Sequence, residues 1–338
     1  EASTHYTRAA SLTADAPAAV ALHAKAFTAI RAAGTTGERQ TVLAALLASA
    51  ERSGAPADQF SALTFAAVAA LDDRDPPGAE RLALRAVREF APPSVVLHVH
   101  ALSVVAQAAG LLDRPADALA AHLEAAAVAQ VGGNARGEAM MRGSAAVWAL
   151  QANQPAQARE QRDLALVACQ ATLGTIHHAQ VLSKVTFVDR AEGQRATALA
   201  RQQQAVDIAR RAGQPVYLNI YHANLCETLV DDGQLEAARQ ALQDLVQGFV
   251  DAREAVPRFL AALTAAVVHE LAGDLGAAIR SAHDAVAAAD LQPDSLATQR
   301  ESRLLAARLL AAAGADERAL ASVHSAEALR RPGVDVPL

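Results

Sequence analysis

The sequence predicts an all-α chain of stacked, antiparallel helix pairs. Three observations carry that prediction. Alanine returns at a fixed period: Ala118, Ala158, Ala198, Ala238 and Ala278 stand 40 residues apart, and Ala319 follows at 41. A period of this length marks stacked units that bury one continuous core. Hydrophobic residues make up 52% of the 338, yet aromatics only 3%, and alanine fills the difference. Alanine is the best helix former and carries no β-branch. Alternating β-branched runs, the mark of half-buried strands, are absent.

The 3.6-residue apolar period and its punctuation give about 17 helices. The first three span roughly 3–13, 17–33 and 37–53, with Pro17 at the start of the second. Helices at about 56–72, 77–91 and 93–111 follow Pro56, Pro77 and Pro93. Pro115 and Pro155 open 115–131 and 155–172, on either side of about 135–152. The spans at about 175–191, 195–212, 215–231 and 235–251 come next, with Pro215 opening the third. The last four run about 254–272, 275–290, 294–313 and 316–330. Pro257 belongs to a first turn, and no proline interrupts a helix middle. Short links make neighbouring helices antiparallel.

Aligned on the periodic alanine, two further columns are small. Seven residues later stand Ala125, Ala165, Ala205, Leu245, Ala285 and Ala326; twelve earlier stand Ala106, Ala146, Thr186, Cys226, Ala266 and Ala307. Small residues let paired helices approach, and a bulky one would cost about 1–3 kcal/mol in overpacking. Leu245 departs from the rule, so local spreading or a small partner is expected there. Each periodic alanine follows a turn, as in Asp113-Arg-Pro115, Asn153-Gln-Pro155, Gly193-Gln-Arg195, Gly233-Gln-Leu235 and Gly273-Asp-Leu275.

These columns and turns resemble the tetratricopeptide repeat (TPR) family, with Gly233–Ala238 and Gly273–Ala278 matching its turn best. The resemblance covers about residues 94–330 in six units, and a weaker seventh fits 56–91 through Ala67, Ala79 and Ala86. The unit here is 40 residues, against about 34 in the usual repeat. The resemblance implies a right-handed superhelical solenoid whose first helices line a concave face. Longer repeats occur in sensor regions of LuxR-type regulators and beside diguanylate cyclases. Residues 1–55 fall out of register and are expected to be an N-terminal helical cap or degenerate repeat. Residues 56–330 then form about seven repeats, and 331–338 a tail. The stripe Ala319, Leu320, Val323, Ala326 and Leu329 is apolar where a solenoid ends in a polar cap. A continuing chain, or a partner at this end such as a second copy in a homodimer, is expected from it.

Composition excludes several classes. A net charge of −6, with no Lys/Arg cluster longer than a pair, argues against direct nucleic-acid binding. Only Lys25 and Lys184 are lysines among the 30 basic residues. No stretch reaches the roughly 18 apolar residues of a membrane span. Cys169 and Cys226 fit buried thiols in a reducing, cytoplasmic compartment. No signal peptide is visible, and the opening Glu1 suggests a trimmed chain.

Catalytic and metal motifs fail on spacing. His269-Glu270 lacks the second histidine of a helical zinc site, since Gly273 stands there. His98 and His100 point about 200° apart, and His177 and His178 about 100°. Gly132–Gly137 has no preceding strand and no Lys-Ser/Thr after it, so it is an interhelix turn. Asp72-Asp73-Arg-Asp75 lacks the spaced ligands of a calcium loop. No catalytic residue, metal or cofactor is expected.

The candidate binding residues lie on first helices, which line the concave face in the resembled family. Gln180, Lys184 and Phe187 share one stripe; Tyr217, Tyr221, Asn224 and Glu227 share another. His100 and Gln107 occupy the columns of Gln180 and Phe187 two repeats earlier. Lys184 and Asn224, 40 apart, are expected to be neighbours on adjacent repeats. Met140 with Val147, and Leu260 with Val267, extend this groove as an apolar floor or belong to the core. The expected function is a non-catalytic scaffold or sensor region binding a protein or peptide on the concave face. A small-molecule effector domain controlling an attached output domain is the alternative.

Overall fold

The computed structural model describes residues 2–31, 36–73, 75–250, 255–291 and 296–329. They form α1 (Ala2–Leu12), α2 (Ala16–Arg31), α3 (Thr36–Ser53), α4 (Pro56–Asp72), α5 (Pro76–Glu89) and α6 (Val95–Leu111). Then come α7 (Pro115–Val131), α8 (Ala135–Gln151), α9 (Pro155–Ala168), α10 (Ile176–Ala191), α11 (Arg195–Arg211) and α12 (Pro215–Asp231). The rest are α13 (Leu235–Val250), α14 (Ala255–Leu271), α15 (Leu275–Asp290), α16 (Leu296–Ala312) and α17 (Asp316–Glu327). The expected all-α helix-pair architecture is what the described residues adopt. The expected tail at 331–338 lies outside them.

By its contacts the chain divides into two compact units, Glu1–Ala171 and Thr172–Leu338. In the first, α4 packs on α5, α6 on α7 and α8 on α9, and the first helices α4, α6 and α8 also touch in sequence. The helix α2 packs on α3 and touches α4 in the same manner. In the second unit α10 packs on α11, α12 on α13, α14 on α15 and α16 on α17; the first helices α10, α12 and α14 touch in turn.

The small columns set these approaches. Every residue of the three columns is buried, including Leu245. Ala67 and Ala79 share one cluster with Ala106, as Ala266 and Ala278 share another with Ala306. The turns are equally regular. Asp113, Asn153, Gly193, Gly233 and Gly273 have φ of 59°, 56°, 72°, 79° and 78°. Each ends its helix in the left-handed conformation, and the next N–H reaches back five residues: Arg114 to the Ala109 carbonyl at 3.0 Å, Gln194 to that of Asp189 at 2.8 Å. Asp and Asn tolerate this conformation better than other side chains, which is why they stand at two of the turns. In the Gly132–Gly137 turn, Asn134 caps α8 by accepting the Gly137 N–H at 3.0 Å. Asp75 caps α5 through the Gly78 N–H at 3.1 Å, and Asp72 binds Arg31, so that acidic run is structural.

One helix is shorter than expected. The span read as 155–172 ends at Ala168, and Cys169–Thr172 forms a 3-10 turn. The Thr172 carbonyl accepts both the Thr175 hydroxyl at 2.7 Å and the Thr175 N–H at 3.1 Å. That tightened turn replaces α-helical bonding just before α10. At α17 the expected apolar stripe divides: Ala319 and Ala326 are buried, while Leu320 is 56% exposed beside a shallow groove of about 450 Å³ with Leu304 and Val323.

Candidate functional site

The site is built from α10 outward. Thr175 caps α10, and the Gly174 N–H donates to His178 Nδ1 at 3.2 Å. This fixes the rotation of the helix. His178, Ala179, Val181, Leu182, Ser183, Val185, Thr186, Val188 and Asp189 are buried as a result. What stays accessible is the row His177, Gln180, Lys184, Phe187, all half-buried. The spacing of three and four residues puts them on one side of the helix. On α12 the accessible row is Ile220, Asn224 and Glu227, with Ile220 40% exposed.

Specific bonds lock the two helices together. Asn224 Nδ2 donates to Ser183 Oγ at 3.0 Å. Arg190 donates to Glu227 at 3.0 Å and also to Asp231, and its guanidinium lies 5.8 Å from the Phe187 ring centre. His177 Nδ1 and the Gln180 amide oxygen are 3.0 Å apart. Asn224 is therefore bonded to the residue before Lys184. The cross-repeat pairs Ser183–Asn224, Arg190–Asp231 and Arg31–Asp72 are all 41 apart, one more than the alanine period. A contact joins facing sides of two helices, whereas equal positions differ by the period itself.

The tyrosines separate. Tyr217 is half-buried, but Tyr221 is buried, so it lies beneath the open face. Their rings stack at 6.1 Å, and Gln202 Nε2 from α11 donates to the Tyr221 carbonyl at 2.9 Å. Burial, with Tyr217 adding to it, raises the Tyr221 phenol above its ordinary pKa. Its ring packs, and its hydroxyl has no hydrogen-bond partner among the described residues. Lys184 differs. The residue is half-buried, and burial pushes its ammonium down to about 8.

His100 and Gln107 stand on α6 in the other unit. Burial, then the charge of Arg31, lowers the His100 pKa, so its imidazole is neutral at pH 7. Gln107 is exposed. Met140, Val147 and Val267 are half-buried, and the side chain of Leu260 lies outside the described residues. Among the described residues no three His, Cys, Asp or Glu are grouped to hold a metal. Burial pushes the Cys226 thiol up to about 12, which leaves no thiolate for chemistry at neutral pH. No helix of the described residues is long and apolar enough to cross a membrane.

No protein-family model matches the sequence, and no curated protein does. Solved structures do match. A Rap protein complexed with competence and sporulation factor aligns at a TM-score of 0.67 and 11% identity, over 92% of this chain and 85% of that one. The apo form of the quorum sensor NprR from B. thuringiensis aligns at 0.65 and 9%, over 96% and 91%. A signal transduction ATPase with a tetratricopeptide repeat sensor, from Pyrococcus horikoshii, aligns at 0.56 and 14%, over 97% and 52%. The fold is that of a TPR-like helical repeat. In this TPR-like frame, Gln180, Lys184 and Phe187 lie on one side of α10, and Asn224 and Glu227 of α12 bond to Ser183 and Arg190 of α10.

Sequence reasoning missed Ser183, Arg190 and Ile220. An offset of 41 rather than 40 from Asn224 would have pointed to Ser183. It also missed the Arg142 network in the first unit, where one buried guanidinium reaches Glu138 at 2.8 Å, Gln161 at 3.1 Å and Gln130 at 3.3 Å.

Proposed function

We propose that this chain is a non-catalytic helical-repeat sensor or scaffold that binds a peptide, or a peptide-like segment of a protein, along the open side of its first helices. The observation that carries this reading is the α10–α12 row. It combines amides at Gln180 and Asn224, a half-buried cation at Lys184 and apolar contacts at Phe187 and Ile220. An extended peptide offers backbone N–H and C=O groups that side-chain amides can match, and apolar side chains that Phe187 and Ile220 can cover. The row sits on packed helices, so little is ordered on binding. The solved-structure neighbours supply context: one is complexed with a factor, and another is a quorum sensor. A cytoplasmic location, and repeats over 56–330 behind a cap at 1–55, go with this reading.

The test is selection from a randomised peptide library displayed on phage, panned against the intact chain. Selected peptides are expected to lose about tenfold or more in affinity to a Phe187→Ala, Asn224→Ala double variant. Peptides that bind the double variant as well as the parent would place recognition elsewhere.

A further inference from the structure

We propose that the outer face of α5 is a docking surface for an acidic segment of a partner protein, held by Arg81, Arg85 and Arg88. The face follows from how the helix packs. α5 lies against α4 and α6 and buries Gly78, Ala79, Ala83 and Ala86. Arg81, Arg85 and Arg88 are exposed on the other side. Spacings of four and three residues put them on one stripe. No two of them are adjacent in sequence, so the cluster exists only once the helix forms.

Two of the three cations are left for a partner. Arg85 donates to Glu89 at 2.9 Å, and Glu80 is taken by Arg114. Arg81 and Arg88 have no carboxylate partner among the described residues. Elsewhere Arg31, Arg210, Arg239 and Arg308 each reach one, at Asp72, Asp207, Glu236 and Glu270. The stripe also belongs to one repeat. Its columns hold Ala120, Glu124 and Ala127 on α7, Ala200, Gln204 and Asp207 on α11, and Gln240, Asp244 and Gln247 on α13. A determinant of the scaffold would recur with the period, and this one does not.

The geometry selects the ligand class. Arg81 and Arg88 stand two helical turns apart, about 10.5 Å along the axis. Carboxylates at i and i+7 of a partner helix match that separation, with one between them for Arg85. Guanidinium forks take carboxylates through paired hydrogen bonds. The like charges at these spacings repel within the empty helix, and an acidic partner relieves that repulsion. Pro77 and Leu84 line the same shallow groove of about 490 Å³ and give a peptide apolar contact. Glu80 and Glu89 flank the stripe, which disfavours a continuous polyanion such as nucleic acid.

The probes are alanine-based helical peptides of about 15 residues, one with glutamate at i, i+4 and i+7 and one with glutamine there. A third probe is single-stranded oligo-dT of similar length. They are titrated into the intact chain labelled with ¹⁵N-arginine, whose Nε–Hε resonances are assigned through single Arg→Lys variants. The glutamate peptide is expected to shift Arg81, Arg85 and Arg88 and to leave Arg303, which is bonded to Asp290, unmoved. Its affinity should fall about tenfold or more in the Arg81→Glu, Arg88→Glu double variant, and likewise between about 50 and 500 mM salt. Equal shifts with the glutamine peptide, shifts spread over all exposed arginines, or no shift would overturn the proposal. Tighter binding of oligo-dT would overturn it in favour of nucleic acid. A parent dimer that the double variant dissolves, seen by light scattering, would make a second copy the occupant instead. Binding of phage-selected peptides at α10 and α12 should survive the double variant, so the two readings stand or fall separately.

Discussion

Arg201→Met is expected to lower the unfolding free energy by about 3 kcal/mol or more. Its partner Asp189 has a fully buried side chain, 0% exposed, on the first helix of the pair, and Arg201 donates to it from the second. Removing the guanidinium leaves a carboxylate in a place where water cannot solvate it. The desolvation of that charge, rather than the lost contact, sets the size of the effect. The control is Arg201→Met combined with Asp189→Asn, which removes the charge and should recover much of the loss. Urea denaturation followed by circular dichroism checks both. A midpoint shift at constant slope is the expected signature. An Arg201→Met midpoint equal to the parent's would mean that Arg201 is not what holds the Asp189 charge in the native state.

Lys184→Met has the opposite sign. At pH 7 it is expected to stabilise the chain by up to about 3 kcal/mol, from a fall from 10.5 to about 8 at about 1.4 kcal/mol per pKa unit. The direction with pH follows from linkage. Between about pH 8 and the ordinary lysine range near 10.5, the unfolded chain holds a proton that the native chain has released. Native stability therefore rises with pH across that window. The advantage of Lys184→Met is full below about pH 8 and fades above it. Unfolding curves at pH 7 and pH 10 measure this directly. Equal gains at the two pH values would attribute them to packing alone.

The fold was legible because its determinants repeat. The alanine columns, the left-handed turn position at Asp113, Asn153, Gly193, Gly233 and Gly273, and the prolines at helix starts recur at one period, so each supports the others. The candidate site does not repeat, and so it was legible only in part. The rotation of α10 places Gln180, Lys184 and Phe187 together, which helical spacing alone foresees. Tyr221 shares a nominal stripe with Asn224, yet it turns beneath the open face, where Gln202 of the neighbouring α11 meets its carbonyl. No periodicity within α12 contains that information. The Asp189–Arg201 pair is unique to one repeat; its column elsewhere holds Ala109, Ala149 and Leu229. The early end of α9 in the 3-10 turn Cys169–Thr172 is a local event that apolar pattern does not register.

The central claim is that ligand lies along α10 and α12. Its most direct test is photo-crosslinking. A peptide selected from the displayed library is given a diazirine side chain, irradiated on the intact chain and mapped by mass spectrometry. Crosslinks within Ile176–Ala191 and Pro215–Asp231, at or beside Gln180, Lys184, Phe187, Ile220 and Asn224, are the predicted result. Crosslinks confined to second helices such as α5, α7, α11 or α13 would contradict it.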